Sequence, residues 1–130
     1  MLVLNSSFIC HNEIVLSIDF QDFFDGDTVS LQVEECEIFS DQELTSDGSL
    51  GLVDLEIHIA RKSPTQILII YNEARKTCTH DVGERIVLRL VLNGQVDFFK
   101  VNPRKGRYVG FEKRRNRIVM RQSKRPFEYD

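Results

Sequence analysis

Residues 84–102 read ERIVLRLVLNGQVDFFKVN, and the Asn93-Gly94 pair at their centre decides the fold. Asn-Gly between two apolar-rich runs marks a two-residue β-hairpin loop, because a type I′ turn needs positive φ at both central positions. Counting outward from that turn pairs Val91 with Val96, Leu90 with Asp97, Arg89 with Phe98 and Leu88 with Phe99. Ile86, Leu88, Phe99 and Val101 then share one face, which is expected to be core. Arg89 and Phe98 share the other face, a pairing suited to a cation–π contact.

Working outward toward the C-terminus, a second hairpin follows. A four-residue loop at 113–116 sets Glu112 against Arg117, Phe111 against Ile118, Val109 against Met120 and Tyr108 against Arg121. One face is then apolar: Val109, Phe111, Ile118 and Met120. The other carries Tyr108, Gly110, Glu112, Arg117, Val119 and Arg121. Residues 124–130, KRPFEYD, are expected to fray.

Toward the N-terminus the chain also repeats with period two, the mark of half-buried strands. Ile14, Leu16 and Ile18 fall on one side of a first strand. Residues 21–27, QDFFDGD, read as a turn through Asp-Gly. Val29, Leu31 and Val33 alternate with polar residues, and the phase then slips so that Cys36 and Ile38 continue the apolar face. A β-bulge at Glu34-Glu35 is expected to absorb that slip. Residues 40–51 are polar and read as loop. Val53, Leu55, Ile57 and Ile59 alternate with Asp54, Glu56 and His58 as a further strand. Residues 63–78 carry two patterns. Ser63, Pro64 and Gln66 suit the start of a helix, and Ile67, Ile70, Tyr71, Ala74 and Cys78 fall at helical spacing. The β-branched run ILII argues for a strand. The reading adopted is one short helix near 64–77. The expected fold is a mainly β single domain over residues 1–130, an antiparallel sandwich or open barrel of about seven to nine strands.

The totals agree with a globular chain: 130 residues, 42% hydrophobic and 28% charged. No apolar run approaches the roughly 20 residues a membrane-spanning helix needs. No signal-peptide pattern opens the chain, so a cytoplasmic protein is expected. The three cysteines, Cys10, Cys36 and Cys78, are odd in number and far apart, which predicts reduced thiols.

Charge is divided along the chain. Residues 1–60 hold 13 acids and no Lys or Arg, and residues 61–130 hold 17 basic and 7 acidic groups, so −13 and +10 sum to the net −3. Such asymmetry suits an anionic partner such as nucleic acid, or attraction between the halves within one fold.

Signals for catalysis are poor: there is no phosphate-binding loop, no Gly-x-Gly-x-x-Gly, no nucleophile elbow and no His-Glu-x-x-His. Asp54, Glu56 and His58 read as a solvated strand face. Cys10-His11 and Cys78-Thr79-His80 lack the spacing of structural zinc sites. Asp22, Asp25 and Asp27 in one loop, with Asp41 and Asp47 in another, raise calcium without the spacing of a known loop. Neither metal nor cofactor is assigned.

The basic hairpin carries the functional reading. Phosphate binding needs several Lys or Arg side chains along one backbone path. Arg104, Lys105, Arg107, Lys113, Arg114, Arg115, Arg117 and Arg121 supply them, with Tyr108 to stack on a base and Gly110 to leave the surface open. The expectation is a non-catalytic binding module for an anionic partner, nucleic acid first. The competing reading is a protein–protein or self-assembly module in which acidic and basic surfaces meet, with homo-oligomers as one outcome.

Overall fold

The structure, a computed structural model, describes residues 13–47, 51, 53–80 and 85–129. In chain order the strands are β1 (Ile14–Phe20), β2 (Asp27–Val33), β3 (Cys36–Leu44), β4 (Ile57–Ser63), β5 (Gln66–Tyr71) and β6 (Ala74–Thr79). They are followed by β7 (Ile86–Leu92), β8 (Gln95–Val101), a short 3₁₀ turn at Pro103–Lys105, β9 (Tyr108–Arg114) and β10 (Arg117–Ser123). One sheet has the order β10-β9-β1-β4-β5-β6 and the other β3-β2-β7-β8. All the pairings are antiparallel except that of β1 with β9, which is parallel.

Inward residues of both sheets form the core. Leu16, Ile18 and Phe20 of β1 meet Leu31, Val33, Leu88 and Leu90 of the second sheet in one buried cluster. Phe20 packs against Phe24, Phe39 and Phe111 at centroid distances of 5.8, 5.9 and 5.6 Å. Phe99 of β8 reaches Phe111 of β9 at 5.2 Å and ties one sheet to the other. Such aromatic pairs add about 0.5–1.5 kcal/mol each beyond their burial.

The Asn93-Gly94 hairpin has the register read from its sequence, residue for residue. Both turn residues are left-handed, at φ 49° and 88°. The second hairpin differs. Its loop is Arg115-Asn116 alone, at φ 50° and 66°, and Val119 opposes Glu112 while Met120 opposes Phe111. The shorter loop adds the Arg114–Arg117 and Lys113–Ile118 pairs to the ladder. The register moves by two residues, and because side chains alternate with period two the faces survive.

Four other expectations are corrected. Residues 64–77 are not helical: they belong to β5 and β6, with a turn at Asn72 (φ 53°). Ile67 and Ile69 alternate into the core while Ile70 faces outward, so β-branched packing outweighs the helical spacing. Asn72 stabilises the turn because its Oδ1 accepts from the Glu56 amide at 3.0 Å. Glu34-Glu35 is not a bulge but the β2–β3 turn, with Glu34 at φ 54° and its carboxylate accepting from the Val87 amide at 2.6 Å. β3 then runs to Leu44, through residues read as loop, because an edge strand with a wet face is polar. The strand expected from Val53 begins at Ile57.

The cysteine expectation also fails. Cys36 of β3 is bonded to Cys78 of β6. These are the outer strands of the two sheets on one side of the sandwich, so the bond closes that side covalently. Lys76 Nζ donates to the Glu37 carbonyl at 3.0 Å beside it. The opposite side, β10 over β8, is bridged by Arg117 and Asp97 at 2.8 Å.

Candidate nucleic-acid interface

The predicted basic residues do not form one patch. β9 is seven residues long, so its ends lie about 20 Å apart. Lys113, Arg114, Arg115 and Arg117 gather at the hairpin tip. Arg104, Lys105 and Arg107 sit at the far end, around the 3₁₀ turn that leads into β9. Arg121 lies between them on β10, opposite Gly110. Lys124 and Arg125 join the far cluster, since β10 ends against the start of β9 and a Cβ on Gly106 would meet the Ser123 carbonyl at 2.5 Å.

The tip cations are not equivalent. Lys113 is committed to structure: its Nζ meets both oxygens of Asp27 at 3.0 and 3.1 Å. The same carboxylate accepts from the Asp25 amide and from Asn93 Nδ2, each at 2.9 Å. Burial pushes the Asp27 carboxyl up, but the Asp25 amide, Asn93 and Lys113 outweigh it and hold the group below its ordinary value. This pair joins the acidic half of the chain to the basic half. Arg114 meets Glu112 at 3.1 Å and Arg117 meets Asp97 at 2.8 Å, yet both arginine side chains are about 60% exposed. The Arg117 pair contributes on the order of 1 kcal/mol, so a phosphate can take Arg117 cheaply, whereas Glu112 is buried and giving up Arg114 would leave its carboxylate without that cation. Arg115 is exposed and makes no ion pair with a described residue.

Aromatic side chains accompany the cations, and the sequence reading identified only one. Tyr108 lies half-buried at the far end. Phe127 lies under Arg121, whose guanidinium sits 5.2 Å from the ring centroid. Phe23, on the β1–β2 turn, is 63% exposed and lines an open groove with Lys113, Arg114, Arg115 and Asn116. Its φ is 75°, a left-handed conformation that costs a bulky side chain on the order of 1–3 kcal/mol. Among the described residues, the other exposed non-glycine positions with positive φ are Asn or Asp, which tolerate it, so Phe23 and Arg115 stand apart as larger side chains held there. The sequence signal was the adjacent aromatic pair in DFFDG, of which the fold buries only Phe24.

Two sequence expectations about this face change. Gly110 is not open surface: the Gln21 side chain lies on it, and a Cβ there would come within 2.4 Å. The C-terminal residues do not fray up to 129. Tyr129 Oη donates to Asp19 Oδ2 and accepts from Gln21 Nε2, both at 2.8 Å, and Arg121 donates to Gln21 Oε1 at 3.0 Å. This network straps the tail over β1 and β9. Burial pushes the Tyr129 hydroxyl well above the usual tyrosine range; Gln21 opposes this, Asp19 reinforces it, and Arg121 opposes it.

The alternative chemistries find less. Among the described residues no group of three or more His, Cys, Asp or Glu is placed to hold a metal. Asp27 already has its donors, and Cys78 is in the disulfide. His80 is buried, with Arg61 at 2.8 Å from Nδ1 and the Arg85 carbonyl at 2.9 Å from Nε2. Cys10-His11 lies outside the described residues. His58 Nδ1 pairs with Ser17 Oγ at 2.9 Å, while Asp54 and Glu56 precede β4 rather than sharing its face. No helix among the described residues is long and apolar enough to cross a membrane. No family model, curated protein or solved structure matches the chain.

Proposed function

We propose that this protein is a non-catalytic binding module that takes a single-stranded nucleic acid along the β9–β10 hairpin. The observation that carries the reading is the alternation of cations and aromatics over about 20 Å of hairpin. Phe23 stands with Arg114, Arg115 and Arg117 at the tip, Phe127 with Arg121 in the middle, and Tyr108 with Lys105, Arg107, Lys124 and Arg125 at the far end. Cations spaced along a path suit successive phosphates, and aromatic rings beside them suit unstacked bases. Duplex offers no such bases.

The test is fluorescence anisotropy with labelled single-stranded and duplex oligonucleotides at two salt concentrations. Single strands should bind more tightly than duplex, and binding should weaken with salt. Replacing Arg114, Arg115 and Arg117 together by Glu should cut affinity at least tenfold and reduce the log–log salt slope by about 2, three contacts at roughly 0.7 each. Unchanged affinity in that variant refutes the site. The Cys36–Cys78 bond also supports folding in an oxidising compartment rather than the cytoplasm. Thiol alkylation of protein taken directly from its source tests this: fully alkylated cysteines would return the chain to a reducing compartment.

A further inference from the structure

We infer that the free edge of β10 is a docking site for an extended acidic peptide, which adds a strand to the six-stranded sheet. The sandwich has four outer strands, and they are not equally available. β3 and β6 are fastened to each other by Cys36–Cys78 and by Lys76 on the Glu37 carbonyl. β3 is also irregular, with register shifts against β2 and Asp41 at φ 52°, features that spoil an edge for pairing. β8 is regular but carries one acid and one base, Asp97 and Lys100. β10 is regular over all seven residues, pairs with β9 without a break, and no described strand covers its other edge.

The two-residue loop fixes which main-chain groups face outward. In such a hairpin the residues flanking the turn, here Arg114 and Arg117, form a hydrogen-bonded pair, and such pairs alternate along the ladder. Arg117, Val119, Arg121 and Ser123 therefore point their N–H and C=O groups at β9. Ile118, Met120 and Gln122 point theirs at the open edge. An incoming strand finds three donors and three acceptors in register.

The side chains specify what that strand should carry. Val119, 40% exposed, lies on the solvent face of β10 between Arg117 and Arg121. Arg117 is 61% exposed but pairs with Asp97 of β8 at 2.8 Å, and Arg121 donates to Gln21 at 3.0 Å, so an incoming acid takes each arginine in exchange for an existing partner. Neighbours across an added pair sit directly opposite, so the ligand wants an acid, an apolar residue and an acid at alternate positions. Ile118 and Met120, on the inward face, favour apolar residues between them. The predicted ligand reads acid-apolar-apolar-apolar-acid. Lys124 and Arg125 extend the positive field beyond the strand end. The same charges disfavour β10 pairing with a second β10, so the edge discriminates against its own copy while admitting an acidic strand.

The probe is a labelled peptide, Asp-Glu-Val-Val-Val-Glu-Asp, titrated with the intact oxidised protein. Saturable binding is expected, with at least tenfold weaker binding when Lys replaces both Glu residues. Two N-methylated versions separate strand addition from charge attraction. Methyl groups on one alternate set of amides block the edge facing β10 and should abolish binding, whereas the other set should leave it unchanged. On the protein, Met120→Pro removes an outward N–H without breaking a β9–β10 hydrogen bond, and should abolish peptide binding while Met120→Ala retains it. Thermal melts of both variants confirm folding. Equal binding of the two methylated peptides, or binding by a folded Met120→Pro protein equal to that of Met120→Ala, overturns the inference. No saturable peptide binding overturns it as well, and a protein that then binds only oligonucleotides leaves the hairpin as a nucleic-acid surface alone.

Discussion

Two hairpins in this molecule turn on the same two-residue geometry and put it to different uses. At Asn93-Gly94 the residues suit the turn. Asn93 tolerates the left-handed region, Gly94 has no side chain to strain, and the Asn93 side chain accepts from the Thr28 amide and donates to Asp27, both at 2.9 Å. Every group there serves the fold. At Arg115-Asn116 the first position holds an arginine at φ 50° that reaches solvent and no acid among the described residues. A left-handed arginine costs about 1 kcal/mol relative to glycine. The Phe23 backbone, across the groove, carries a similar cost with its ring exposed. Strain without an internal compensation concentrates at functional sites. On the proposed function, the Asn93-Gly94 turn serves the fold and the Arg115-Asn116 turn serves a binding surface.

Removing the disulfide with Cys36→Ala and Cys78→Ala should cost about 4 kcal/mol, since it closes a loop of 42 residues. Thermal unfolding should then fall by about 15 °C. Because the bond lies on the side away from β10, oligonucleotide binding by the folded variant should be unchanged, and anisotropy below its melting temperature checks this.

Lys113→Ala should cost about 1–2 kcal/mol, measured by urea unfolding, because Asp27 would keep its Asp25 and Asn93 donors but lose its cation. The pH dependence follows in sign. The folded Asp27 carboxyl titrates below its unfolded value of about 3.9, so its contribution is complete above that pH and is lost as pH falls through the lower folded value. Stability should therefore decline on acidification below about pH 4, and less so in Asp27→Asn. A wild-type protein whose acid profile matches that of Asp27→Asn would remove this pair from the account.

Tyr129→Phe should cost about 1 kcal/mol by deleting the bonds to Asp19 and Gln21. The raised hydroxyl pKa means that this contribution is present below the unfolded tyrosine value of about 10 and disappears as pH rises above it. Wild type and variant should thus converge in stability in strong alkali. A difference that persists there assigns the tail to ring packing instead.

Much of this architecture was legible in the sequence, and the parts that were not share a cause. Period-two alternation and Asn93-Gly94 placed a hairpin residue for residue, because turn chemistry and core face agreed there. In the second hairpin the faces were legible but not the loop, because Arg115 is not a residue that turn preferences recommend. Residues 63–78 misled because a capping pattern and a β-branched run overlap, and the choice is made by pairing: β5 lies between β4 and β6 in the sheet. Pairing of Cys36 with Cys78 depends on which sheet edges meet, and nothing local encodes that. Phe23 was missed for a related reason: Phe23 and Phe24 are identical in sequence, and tertiary packing buries one and leaves the other in solvent.

The central claim is that Phe23 and Arg115 are kept at a cost to the fold for what they bind. Phe23→Gly and Arg115→Gly test it by measuring unfolding free energy and single-strand affinity on the same samples. The account predicts opposite movements: stability unchanged or raised by up to about 1 kcal/mol, and affinity reduced about tenfold, as expected for loss of a stacking ring or a phosphate contact. Variants that lose stability and keep full affinity would contradict it, and would make the tip a structural feature of the fold.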